Sequence, residues 1–145
     1  MTIIGRVLFY VSWPLLWLYT PLTRRARVVV VHGTQVLVVK NWFGPGYWQL
    51  PGGGVKRGES PPEAARRELS EELGIDAECR ELVEGTMIVR QFGLLMRYHF
   101  LRAEVPNTDI PRIATELTGA KWIQMSELRG VATEVKTGVK LATQD

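Results

Sequence analysis

Apolar residues fall into blocks along this chain, and the spacing inside each block predicts an element. Ile3 to Leu22 is a nearly continuous apolar run, broken by Gly5, Arg6, Ser12 and Pro14. Arg27 to His32 and Gln35 to Lys40 are Val-rich and joined by Gly33-Thr34, which predicts a β-hairpin. Their unbroken apolar character predicts strands covered on both faces, hence a central sheet between helices. Asn41 to Tyr47 is a Gly/Pro loop, and Trp48 to Pro51 predicts a short strand leading into Gly52-Gly53-Gly54. Glu81 to Gln91 and Leu94 to Ala103 predict two further strands that turn at Phe92-Gly93. In the second, Met96, Tyr98 and Phe100 share one face, and Arg97 and His99 the other. Glu104 to Thr115 predicts a loop, Ala120 to Gln124 a last strand, and Ser126 to Leu128 the start of a short helix. After Gly130 the pattern is weak and predicts only a short or frayed helix.

The best-specified element is a helix from Pro61 to Leu73. Ser60 and Glu63 have capping-box spacing, Pro61 suits the first helical position, and Gly74 is a C-terminal stop. Ala65, Leu69 and Leu73 form the apolar stripe. Glu68, Glu71 and Glu72 stand at i, i+3 and i+4 and project from one side. Like charges this close repel unless something neutralises them. A hard divalent cation held by carboxylate oxygens would do so, and a solvated acidic face is the plainer alternative.

Composition narrows the chemistry. The chain has 145 residues, enough for one domain with a core, and a formal net charge of +3. That charge favours an anionic substrate or a membrane surface and does not argue for nucleic acid. Cys79 is the only cysteine, and the histidines are His32 and His99. An internal disulfide and a thiolate or histidine-rich metal site are therefore excluded.

Gly53, five residues, Glu59, seven residues, Arg67-Glu68-Leu69, one residue, Glu71-Glu72, one residue and Gly74-Ile75 form one gapless pattern. It resembles the Nudix box at every defined position. The resemblance extends over about Arg27 to Leu128. It implies an α/β fold, an α/β/α sandwich with a mixed central sheet. It also implies Mg²⁺-dependent hydrolysis (Mn²⁺ would serve) of the pyrophosphate in a nucleoside diphosphate linked to another moiety. In that frame Glu68, Glu71, Glu72, the Gly53 carbonyl and Glu116 are candidate metal ligands, with Asp109 a second loop candidate. Glu68 or Glu71 would serve as the base, with Arg67 orienting the glutamates. Gly54, Glu59 and Gly74 would be structural parts of the motif. For the substrate, Arg90 and Arg97 have the guanidinium geometry that suits phosphate, and Trp48, with Trp42, Phe43 or Tyr47, could stack on a base. ADP-ribose, a nucleoside triphosphate, a nucleotide sugar and a lipid-linked diphosphate all stay open. The alternatives in other classes are a non-catalytic nucleotide-binding module at a membrane and an isoprenoid diphosphate isomerase.

The first residues stand apart as an extra apolar N-terminal helix, which divides the chain into a segment 1–23 and a hydrolase domain 24–145. Tyr10, Trp13, Trp17 and Tyr19 are residues favoured at membrane interfaces, and Arg24, Arg25 and Arg27 follow. Three readings compete. One is a membrane anchor through residues 3–22, which would place the domain on the cytoplasmic face. Another is a helix packed on the domain or in a homodimer contact. The third is a cleaved signal peptide, disfavoured because only Arg6 precedes the run and no small-x-small site follows.

Overall fold

The computed structural model describes residues 23–42, 46–91 and 94–145. The expected N-terminal helix, with its anchor and dimer readings, lies outside the described residues, as do Phe43 and the Phe92-Gly93 turn. Among the described residues no helix is long and apolar enough to cross a membrane.

Valine-rich runs extend because β-branched side chains pack well on a pleated surface. They give β1 (Thr23–His32) and β2 (Gln35–Asn41), paired antiparallel about Gly33, whose φ is +57°. Two longer strands follow, β3 (Arg80–Gln91) and β4 (Leu94–Glu104), and then β5 (Leu117–Gln124). The five strands form one sheet in the order β3-β4-β1-β2-β5. Only the β1–β4 pairing is parallel, so the sheet is mixed. β1 begins four residues before the valine run, at Thr23 rather than Arg27, because Thr23 to Ala26 pair with Met96 to His99 of β4. β3 carries a bulge between Glu81 and Thr86, with Glu84 at φ 56°.

Among the described residues two helices cover the sheet. α1 (Pro61–Leu73) has the predicted ends: the Ser60–Glu63 capping box is formed, and Gly74 closes the helix at φ 67°. Its Ala64, Ala65, Leu69 and Leu73 pack on Ala26, Val28, Val30, Leu37 and Val39. α2 (Thr133–Gln144) lies on the opposite face, where Val135, Val139 and Ala142 pack on Val29, Val31, Val36, Val38 and Phe100. A helix is expected here, but a short or frayed one; it runs for twelve residues packed on the core. Its weak pattern has a packing cause. A Cβ on Gly138 would stand 2.9 Å from Leu50 and 3.0 Å from Val29, so the helix sits close and needs small residues. The helix expected at Ser126 is instead a turn, closed by Glu127 N–H donating to the Gln124 carbonyl at 2.9 Å. Trp48 to Pro51 forms only isolated bridges, Gln49 to Val39 and Trp48 to Val131.

Candidate active site

The glycine stretch is held like a strand. Ala26 N–H donates to the Gly53 carbonyl, Val28 N–H to the Pro51 carbonyl and Val55 N–H to the Arg24 carbonyl, each at 2.9 Å. This ladder lays residues 51–55 against β1 and in front of α1. Two glycines are required there for different reasons. A Cβ on Gly52, at φ +130°, would meet the Ala26 carbonyl oxygen at 2.3 Å. A Cβ on Gly53 would meet the Glu68 carboxylate at 2.3–2.7 Å.

A buried ion pair supports the stretch from behind. Arg27 Nη1 donates to the Gly52 carbonyl at 3.1 Å and to the Leu50 carbonyl at 3.3 Å. Its Nε lies 3.5 Å from Glu134 Oε2, and the other Glu134 oxygen accepts the Leu50 N–H at 3.3 Å. The guanidinium also sits 5.0 Å from the Tyr98 ring centroid. Both charged side chains are buried, so removing one strands the other. Arg27→Met is expected to cost about 3 kcal/mol in urea unfolding, with Arg27→Met/Glu134→Gln less damaging than the single change. With Glu134→Gln measured alone, a double variant whose loss equals the sum of the two single losses would show that no pair coupling exists.

Arg67 organises the front of the site. Its Nε and Nη2 take both oxygens of Glu59, at 2.8 and 3.1 Å. Nη1 donates to Glu68 at 2.8 Å and to Glu71 at 3.3 Å, and Nη2 to the Gly54 carbonyl at 3.0 Å. Glu59 is held down to about 2, first by the Arg67 hydrogen bond and then by the Lys56 N–H. The Glu59 hydrogen bond, and after it the Glu68 one, raises Arg67 further above its ordinary value. One guanidinium thus fixes the loop, the start of the motif and the acidic helix face together.

Behind it opens a cleft of about 390 Å³ lined by Arg25, Asn41, Trp42, the three glycines, Glu68, Glu72 and Glu116. Glu72 accepts the Gly52 N–H at 3.4 Å. Burial pushes its carboxyl up to about 7 against that hydrogen bond, and Glu68 and Glu116 add repulsion. A carboxylate so raised by burial among its like fits a cation: the donors are hard oxygens lining one cleft. Among the described residues no three such groups converge closely enough to hold an ion as placed. Arg67's hold on Glu68 is the contact an ion would compete with.

The remaining candidates are distributed unevenly. Glu71 points outward with its side chain 59% exposed and does not line the cleft. The Gly53 carbonyl already accepts Ala26 N–H, leaving a single lone pair. Asp109 lies in an exposed turn with Asn107, away from Glu116. Arg90 and Arg97 are exposed outside the cleft, Arg90 edging a second cavity of about 490 Å³ beside Tyr98, Met87 and Glu134. Trp48 packs on the α2 side with Lys121 Nζ 4.3 Å from its ring, so its stacking surface is taken. Among the described residues Trp42, 77% exposed, is the aromatic that lines the cleft. His99 is partly buried, and that burial lowers its pKa. Cys79 is buried and its thiol is pushed up to about 11. The residue that the sequence reading missed is Arg25, whose pKa is lowered by burial and then by Arg27, and whose Nε is buried without a partner. Its signal was an arginine at strand spacing from Arg27, hidden by the basic flank around it.

Known proteins share the family and the fold. The NUDIX domain family model matches residues 22–142. An RNA pyrophosphohydrolase of Hahella chejuensis is 54% identical over 44 residues, 30% of this chain and 27% of that protein. The match thus spans about a quarter of that relative's length. An RNA pyrophosphohydrolase of Psychrobacter arcticus is 31% identical over 124 residues, covering 72% of this chain and 71% of that protein. The MutT protein of Methanosarcina mazei Go1 has the same fold, with a TM-score of 0.74 at 17% identity over 87% of this chain and 96% of that one. Because the family model runs from just before β1 to within α2, and so spans both helical layers and not the motif alone, this chain belongs to the Nudix family.

Proposed function

We propose that residues 24–145 form a divalent-metal-dependent hydrolase that cleaves the diphosphate bond of a nucleotide-type substrate. The observation that carries this reading is the shared cleft: Glu68, Glu72 and Glu116 face it together with the guanidinium of Arg25. Glu72, Glu68 and Glu116 would hold Mg²⁺ or Mn²⁺, which when bound neutralises phosphate charge and polarises water. Arg25 would pair with a phosphate oxygen that the carboxylates alone would repel. Glu68 is the carboxylate placed to take the proton of the attacking water, and Arg67 keeps it aimed. Relatives named RNA pyrophosphohydrolase put a 5′-triphosphate RNA end among the substrates to try.

The test is phosphate release with Mg²⁺ from ADP-ribose, nucleoside triphosphates, nucleotide sugars, a 5′-triphosphate oligonucleotide and an isoprenoid diphosphate. Turnover of one class, abolished by Arg25→Met and Glu72→Gln, is expected. Tight nucleotide binding without turnover of any member would replace the hydrolase by a binding module.

A further inference from the structure

A block of arginine and aliphatic side chains occupies the α1 face of the sheet beyond the helix. Ile88 of β3 stands opposite Arg97 of β4, and Arg90 opposite Leu95, so the four form a two-by-two checkerboard on one face. Arg24 of β1 stands beside Arg97 in the parallel register and extends the block. All five are exposed, Ile88 by 59% and Leu95 by 49%. None of the three arginines forms an ion pair among the described residues, although seven such pairs form elsewhere.

We propose that this face seats the domain on an anionic lipid surface. Two features favour lipid over other polyanions. The apolar members are aliphatic, which enter acyl chains, whereas single-stranded nucleic acid is bound by stacking on aromatics, and the block contains none. Guanidinium stems can lie along aliphatic neighbours and keep their charge at the headgroups. Second, β1 is the strand that the apolar run Ile3 to Leu22 leads into, and that run has roughly the length of a bilayer core, about 20 residues. Its first residue, Thr23, pairs with Met96, between Leu95 and Arg97. Any membrane contact made by the run therefore delivers lipid to this edge of the sheet.

The test uses the whole 145-residue chain and vesicles of phosphatidylcholine with or without phosphatidylglycerol. Any binding through the apolar run is common to both kinds, so the readout is the extra partitioning that phosphatidylglycerol brings. At about 1 kcal/mol per arginine near an anionic surface, three arginines predict an increment on the order of 100-fold. Arg24→Glu/Arg90→Glu/Arg97→Glu is expected to erase it. The matching lysine triple variant should keep it, which separates charge from folding. Ile88→Ser/Leu95→Ser should weaken partitioning to both vesicles. An unchanged increment in the glutamate variant would overturn the proposal. So would loss of binding to an RNA oligonucleotide in that variant while the vesicle increment persisted.

Discussion

Glu72→Gln is expected to lower diphosphate turnover by roughly a thousandfold or more while making the metal-free protein more stable near neutral pH. The two effects have one cause. Glu72 is a carboxylate in a partly dry cleft, and burial raises its pKa to about 7. Its folded value lies above the unfolded one, so the fold binds this proton more tightly than the unfolded chain does. The stability tied to that proton is fully present below about pH 4.5 and is lost as pH rises through about 7. Above that range the bare charge costs about 3 kcal/mol. Glutamine keeps the shape and still accepts the Gly52 N–H, but it carries no charge to desolvate. In chelator, wild-type stability should fall between about pH 5 and pH 8, and the variant's should not. Added Mg²⁺ should reverse the order, since a ligand stabilises the form that binds it. The loss of turnover follows from removing an anionic ligand worth several kcal/mol of charge stabilisation, about tenfold in rate for each 1.4. A variant that hydrolyses at the wild-type rate would remove Glu72 from the site.

Neighbouring glycines should fail in opposite ways. Gly52→Ala is expected to cost about 4 kcal/mol, combining left-handed backbone strain with a clash. The clash is with the Ala26 carbonyl at 2.3 Å and the Arg27 Cα at 3.3 Å, both main chain of a central strand that cannot retreat. A loss of this size removes much of a typical domain's stability. Gly53→Ala meets only the end of the Glu68 side chain, which can swing away. That variant should melt near the wild-type temperature and lose about 100-fold in kcat, because Glu68 no longer sits where a proton can be passed. Thermal melts by circular dichroism beside rate measurements separate the two. A stable Gly52→Ala would mean the loop can leave β1, and a fully active Gly53→Ala would mean the position of Glu68 does not matter.

What was legible in the sequence depended on how local each cause is. The ends of α1 follow from Ser60, Glu63, Pro61 and Gly74, all within one helix length, and the structure places them there. The valine runs announced a sheet covered on both faces because burial on each side leaves no polar alternation. The start of β1 was not legible, since Thr23 to Arg25 become a strand only by pairing with β4, far along the chain. α2 was under-read because Gly138 is a poor helix former whose value lies in its closeness to Leu50. The motif located Glu68 and Glu72, but spacing alone could not say that Glu71 turns outward. Nor could it show that Arg25 turns into the cleft or that Arg27 and Glu134 meet across the core.

The ladder between the glycine stretch and β1 bears on how such a site changes over generations. A wall tied to a central strand does not open and shut, so it offers selection no hinge to tune. What stays adjustable is the set of side chains around that fixed wall: Arg25, Asn41, Trp42 and Glu116. Substitutions there alter what the cleft prefers without touching the hydrogen bonds that hold the frame, so new preferences can be acquired one residue at a time.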